Sequence, residues 1–244
     1  MSNHVVILAG GRATTQGRYR TAVPKPLMPI AGRPVLELML RHAARHGFTD
    51  VTLAVGELAP LIRAMFGRGE KLGLTISYEA EPGLLGSAGL LRTFALERPC
   101  LVIDGNVLTT LDLHRFYDAH LEAGNALTIA SHTRELRPDF AVLQLGDAAG
   151  SATFPVERYV ERPRVAYAVS SGVYAIQPEV VAYVAPGEQL TFEELAAKLI
   201  AAREPVGAYA HDELSLDVRE REDYEQAIAR PDVFAPPDHE REAA

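Results

Sequence analysis

The first 130 residues alternate two hydrophobic patterns. The runs HVVILAG, VTLAVG, LTISYEA, CLVIDGN and ALTIAS are short, rich in β-branched residues and bounded by Gly, Asp or Asn, which predicts strands. Between them, PVLELMLRHAARHGF, LAPLIRAMFGRGEKLG and GSAGLLRTFALE carry apolar residues at helical spacing. Strand–helix–strand alternation implies parallel strands joined by right-handed crossovers. The almost unbroken apolar character of VVILAG and CLVID fits a sheet covered on both faces. The expected fold is α/β: a Rossmann-like, doubly wound, mostly parallel sheet with helices on both faces.

The rhythm changes after residue 130. FAVLQLG, VERYVE and YAVSSGVYAIQ read as strands without long helices between them, so antiparallel additions to the sheet are expected in the C-terminal half. Helices are expected at about 178–184 and 191–203, then a strand pair, PVGAYAHD with LSLDV, and a last helix from Glu220. Residues 1–230 read as one domain. The proline-rich, charged RPDVFAPPDHEREAA begins at Arg230, and 231–244 is expected to be a flexible tail. No internal repeat or low-complexity linker is visible.

Composition narrows the function classes. Hydrophobic residues at 48% and charged residues at 23% suit a soluble protein with a full core. A net charge of −8 argues against a nucleic-acid partner, although Arg12, Arg18, Arg20 and Lys25 form a local basic patch. Cys100 is the only cysteine, which rules out an intrachain disulfide or cysteine-rich metal site; opening the run CLVID, it reads as core. MSNHVVILAGG lacks the charged start and apolar length of a signal peptide, and no run reaches the ~18 apolar residues of a membrane span. The expectation is a cytoplasmic protein with no membrane partner.

Candidate chemistry lies where the first strand ends. Ligands of open α/β sheets bind beyond the carboxyl ends of the strands. There, in LAGG, Gly10 and Gly11 would let the backbone turn its N–H groups toward a phosphate. A Gly-Gly turn is in itself a weak signal, and it matches neither the dinucleotide fingerprint nor the P-loop. PKPLMPIAGRPVLE is more specific. Pro24, Pro26 and Pro29 stiffen the segment, and the residue before a proline is pushed to extended geometry, so Lys25 is a cation on a rigid mount.

LAGG with PKPLMPIAGRPVLE, EPGLLGSAG (81–89), VIDGNVLTTLDL (102–113), YVERP (159–163), SSGVYAIQPEV (170–180) and LDVREREDY (216–224) resemble, in order and spacing, the sugar-1-phosphate nucleotidylyltransferases. The resemblance covers about residues 4–226 and implies a glycosyltransferase-A-like fold. It also implies an in-line reaction in which a sugar-phosphate oxygen attacks the α-phosphorus of an NTP and pyrophosphate leaves. Such catalysis is mostly positioning and charge neutralisation.

Residue by residue, the resemblance makes Lys25 and Arg162 the catalytic phosphate contacts. It places Leu8, Ala9, Gly10, Gly11, Arg12, Gly86 and Ser87 around the nucleotide. Glu79 stands where such proteins read the base edge; a carboxylate there would accept from guanine N1 and N2 and favour GTP, while a solvated strand-end glutamate reads equally well. Ala141, Glu161 and Ser171 fall around the sugar. Asp217 is one of two Mg²⁺-binding aspartates. Homo-oligomers also come with the family.

The departures cluster at the reacting centre. The family's Gly-Thr-Arg-Leu becomes Ala13-Thr14-Thr15-Gln16, so its arginine is missing, with Arg12, Arg18 and Arg20 nearby. Its Asn-Gly-Asp is reversed to Asp104-Gly105-Asn106, leaving Asn106 as a weakened metal ligand. If the segment stays a strand, Asp104 and Asn106 share a face about 6.6 to 7 Å apart. Asp104 would then serve Mg²⁺ only through water or at a displaced site, or else cap a turn. His42 and His46 have i,i+4 spacing, yet their helix is expected to face away from the cleft; His114, His120, His132 and His211 show no ligand spacing.

Three functions fit. One is a divergent nucleotidylyltransferase acting on a sugar or sugar-like 1-phosphate. Another is a protein of the same fold that binds nucleotide, nucleotide sugar or a partner enzyme without turnover. The third keeps catalysis but changes the acceptor, in line with Ala141, Ser170 and Ser171.

Overall fold

The computed structural model describes residues 3–10, 25–81, 85–136, 139–147, 150 and 152–234. The chain opens with β1 (His4–Leu8). A 3₁₀ turn at Lys25–Leu27 leads into the short ribbon β2 (Pro29–Ile30) and β3 (Arg33–Pro34), then α1 (Val35–Arg45). Next come β4 (Asp50–Val55), α2 (Ala59–Phe66), β5 (Thr75–Ala80), α3 (Gly86–Gly89) and β6 (Cys100–Asp104). They are followed by β7 (Val107–Thr109), α4 (Leu113–Ala123), β8 (Leu127–Leu136), β9 (Val142–Leu145) and β10 (Val156–Val160). The last elements are β11 (Val165–Ile176), α5 (Phe192–Ala201), β12 (Val206–Ala210), β13 (Ser215–Asp217), α6 (Arg221–Ala229) and α7 (Pro231–Phe234).

Seven strands form the central sheet in the order β12-β8-β11-β6-β1-β4-β5. β1 runs parallel to β4 and β6, β4 to β5, and β8 to β12. β11 is antiparallel to both β6 and β8. The doubly wound sheet with an antiparallel C-terminal addition is therefore present. Successive residues of β1 serve opposite cores: Val5 and Ile7 join α1 and Phe116 of α4, while Val6 joins α5 through Leu195 and Leu199. That two-sided burial is why these strands are apolar without alternation.

The helices end where local chemistry says they should. Asp112 caps α4 by accepting from the Arg115 amide at 3.0 Å, and Gly124 closes it in the left-handed region. Thr191 and Glu194 form a reciprocal capping box at the start of α5.

Several expectations need correction. β9 and β10 pair only with each other, as a separate ribbon outside the seven-stranded sheet. The two strands read as a pair, β12 and β13, do not touch in a ladder: β12 lies parallel to β8, and β13 is antiparallel to β7. Nearness in sequence suggested a hairpin, but the available edges belonged to distant strands. Pro178–Tyr183 is a 3₁₀ helix rather than an α-helix. Within the segment read as a tail, α7 inserts Phe234 into the core at 4% exposure; residues 235–244 lie outside the described residues.

Candidate nucleotide and sugar-phosphate site

The carboxyl ends of β1, β4 and β6 meet at one point. The Ala9 amide donates to Ala54 at 2.8 Å, and the Gly105 amide to the Leu8 carbonyl at 3.1 Å. Glu81, just past β5, is tied to Val55 through its amide at 3.0 Å and lays its carboxylate on Gly10. A Cβ on Gly10 would stand 2.1 Å from Glu81 Oε2, so only glycine admits this contact. Burial pushes the Glu81 carboxyl pKa upward.

Glu79 lies elsewhere: it is exposed and lines a different cavity with His4, Thr52 and Ser77. Glu81 lies one residue past the end of β5 at Ala80, and its carboxylate, not that of Glu79, reaches Gly10. Gly11, Arg12, Ala13, Thr15, Arg18 and Arg20 lie outside the described residues.

Gly86 and Ser87 pack against the chain itself. Gly86 has φ +72°, and a Cβ there would meet the Leu190 carbonyl oxygen at 2.5 Å. Ser87 Oγ accepts from the Phe192 amide at 3.2 Å. Their small size docks α3 onto the start of α5.

A second group of polar residues lines a cleft of about 450 Å³ that includes Asp104, Ser170, Glu193, Asp217 and Arg219. Residues 105 and 106 form a turn rather than continuing the strand. Asp104 ends the central sheet, whereas Asn106 enters the β7–β13 ribbon, where its carbonyl accepts from Val218 at 2.9 Å. The expected same-face strand spacing therefore does not apply. Asn106 Nδ2 donates to Asp217 Oδ1 at 2.8 Å.

Arg219 grips Asp217 from the other side. Its backbone amide donates to Oδ1 at 2.8 Å, Nε donates to Oδ1 at 3.0 Å and Oδ2 at 2.8 Å, and Nη2 donates to Oδ2 at 2.5 Å. The Asp217 amide in turn donates to Asp223 Oδ2 at 2.8 Å.

Lys25 and Asp104 each feel charges from the same cluster. Lys25 has its pKa lowered by burial and by Arg219, against the opposing pull of Asp217 and Glu220. Burial, with Glu193 and Asp217, raises Asp104 to about 6 despite Arg219. Gly172, at φ +70° in an irregularity of β11, makes room for Asp104: a Cβ there would lie 3.1 Å from Oδ2 and 2.7 Å from Val107.

Sequence reasoning set the histidines aside, and two of them flank Ser171. Its hydroxyl lies 2.9 Å from His132 Nδ1 and 2.9 Å from His211 Nε2. Arg134 Nε donates to His132 Nε2 at 3.3 Å, and Arg134 Nη2 to Asp223 at 3.1 Å. The arginine fixes the tautomer: His132 Nε2 must accept, so Nδ1–H donates to Ser171, whose hydroxyl donates to His211. Burial lowers the His132 pKa, with Arg134 and His211 acting the same way against Asp223. Residue spacing could not reveal this chain, because β8, β11 and the end of β12 supply its members.

His42 and His46 pack as expected, outside the cleft: His42 Nε2 bonds the Leu111 carbonyl at 2.9 Å, and His46 sits 3.2 Å from Asp112. Ala141, Glu161 and Arg162 border the β9–β10 ribbon. The Val142–Val160 pairing brings Ala141 and Glu161 to the same end of it. Arg162 has φ +44°, a strained conformation for a residue with a side chain.

A divalent cation prefers anionic oxygens free to bind it. Here both Asp217 oxygens are engaged by Arg219, and Asn106 turns a donor toward them. Among the described residues no three His, Cys, Asp or Glu side chains are gathered to hold a metal. The set as arranged does not fit Mg²⁺. Among the described residues no helix is long and apolar enough to cross a membrane.

A close-packed Gly10 at the end of β1 and a polar cleft over the switch in strand direction are features of a nucleotide-handling α/β protein. The Nucleotidyl transferase family matches residues 4–230, and the chain belongs to that family. It is 30% identical over 240 residues to UTP–glucose-1-phosphate uridylyltransferase of Synechocystis sp., covering 91% of this chain and 62% of that protein. It is 28% identical over 186 residues to mannose-1-phosphate guanyltransferase of Saccharomyces cerevisiae, covering 72% and 50%. The chain thus spans less than two thirds of either relative. In fold it matches the crystal structure of HddC from Yersinia pseudotuberculosis at TM-score 0.73 and 22% identity, over 93% of this chain and 99% of that one. A second structure of HddC, complexed with GMP-PN, matches at TM-score 0.72 and 21% identity over the same shares.

Proposed function

We propose that the protein transfers a nucleoside monophosphate from an NTP, GTP in first preference, to a sugar or sugar-like 1-phosphate. A phosphate oxygen of the acceptor forms the new bond to the α-phosphorus. The bond from that phosphorus to the bridging oxygen breaks, and pyrophosphate leaves with the electron pair. The observation that carries the reading is the convergence of Lys25 from the N-terminal proline segment with Asp104, Asp217 and Arg219 from strand ends far away in sequence.

Lys25 and Arg162 would meet the phosphates as fixed cations. Glu81 takes the base-reading role first assigned to Glu79: its carboxylate beside Gly10 would accept from guanine N1–H and N2–H. A GMP-PN complex of a structural neighbour and the guanyltransferase relatives support that base, while the uridylyltransferase relative is the competing case. Ser171, oriented by two histidines, would face the acceptor, with Ala141 and Glu161 at the ribbon end.

The hold on Asp217 by Arg219 and Asn106 favours a second reading, a protein of this fold that binds nucleotide without turnover. Pyrophosphate release decides between them, measured with each of the four NTPs and a panel of sugar 1-phosphates, in Mg²⁺ and in EDTA. Turnover with GTP that disappears in Lys25→Ala supports the transferase, and Glu81→Gln should lower the preference for GTP. Nucleotide binding by calorimetry with no release under any condition supports the second reading.

A further inference from the structure

Asp217 is an unusual carboxylate for a metal site. Four donor groups already converge on its two oxygens, and three of them belong to Arg219: the backbone amide, Nε and Nη2. The fourth is the Asn106 amide. A paired fork of this kind is the strong form of the arginine–carboxylate bond. Two carboxylates facing each other across this gap would repel unless a cation stood between them. With asparagine at 106 the repulsion is replaced by a hydrogen bond, and the positive charge comes from position 219.

The same guanidinium acts on the rest of the cluster. It pulls the Asp104 pKa down against burial and pushes that of Lys25 down. The Asp217 backbone is fixed by its amide bond to Asp223, whose own carboxylate is neutralised by Arg134. We propose that Arg219 is a resident counter-ion that occupies the cation position of this cleft and keeps divalent metal off Asp217. Asn106 and Arg219 act as a matched pair: one removes the second negative ligand and the other supplies the charge. The inference concerns cation binding alone, so it stands apart from whether the protein turns over.

The test is Mn²⁺ titration of the nucleotide-free protein, following the free-ion signal by electron paramagnetic resonance. Wild type is compared with Arg219→Ala, Asn106→Asp and the double variant, each measured both with and without Asp217→Asn. Thermal melts by circular dichroism verify folding, and Arg219→Gln, closer in size, replaces Arg219→Ala if that variant does not fold. The expected result is a gain of at least tenfold in Mn²⁺ affinity in the double variant over wild type, abolished by Asp217→Asn. Arg219→Ala alone should show part of the gain. Wild type binding Mn²⁺ as tightly as the double variant, in a manner lost with Asp217→Asn, overturns the proposal. So does a folded double variant that gains nothing, because Arg219 would then not be what excludes the ion.

Discussion

His132 and His211 meet through a single oxygen, the Ser171 hydroxyl, at 2.9 Å on each side. The members come from three elements, and the hydroxyl is buried. Ser171→Ala would leave the buried His211 acceptor without this partner, beside a half-buried His132 donor, which costs about 1–3 kcal/mol. Urea unfolding should show a fall in midpoint of that size. An unchanged midpoint would mean water replaces the hydroxyl without loss.

Acid should destabilise the fold through His42 and His120. Burial lowers both from 6.5 to about 4, so the unfolded chain binds more protons. Their contribution is complete above pH 6.5 and is lost as pH falls toward 4. Asp104 opposes them: raised from 3.8 to about 6, it favours the folded state below 3.8 and loses that advantage as pH rises through 6. Two histidines against one aspartate predict net loss on acidification from 6.5 to 4, measured by urea midpoints across that range. His120→Gln should flatten the slope.

Asp104→Asn isolates the opposing term. At pH 8 the native carboxylate is ionised in a desolvated place beside Glu193 and Asp217, and the amide removes that cost. The variant should be more stable than wild type at pH 8 and level with it near pH 4. Equal midpoints at pH 8 would show that the Asp104 ionisation carries no penalty.

Gly172→Ala should be costly for two reasons. The backbone sits at φ +70°, and the new Cβ would lie 2.7 Å from Val107 and 3.1 Å from the Asp104 carboxylate. A loss of about 1–3 kcal/mol is expected from the conformation alone, with nucleotide binding weakened as Asp104 shifts. Calorimetric binding beside the melt would separate the two effects.

Phe234→Ala tests the boundary of the folded unit. Phe234 is 4% exposed in the core shared with α1 and α4, so its truncation should cost about 3 kcal/mol. A change near zero would return residues 231–234 to the tail.

The five central-sheet strands of the first 130 residues, with α1 and α2, were legible in the chain because their signals are local, whereas α4 was not read and GSAGLLRTFALE forms only a short helix and a 3₁₀ turn. A period of two or of 3.6 is set by neighbouring φ and ψ, and the buried ends of VVILAG and CLVID announce two-sided packing without reference to anything distant. Lys25 departs from its local signal: the proline after it predicts extended backbone, yet Lys25 opens the 3₁₀ turn Lys25–Leu27. The site was not legible in this way. Glu81, one residue past the end of β5 at Ala80, faces Gly10, and Glu79 does not. Ser171, beside an irregularity in β11, meets His132 of β8 and His211 just past β12. Asn106 meets Asp217 because β13 lies along β7 across more than a hundred residues of sequence. These are contacts between positions remote in the chain, fixed by strand order and register, and no local pattern encodes which remote side chain will arrive.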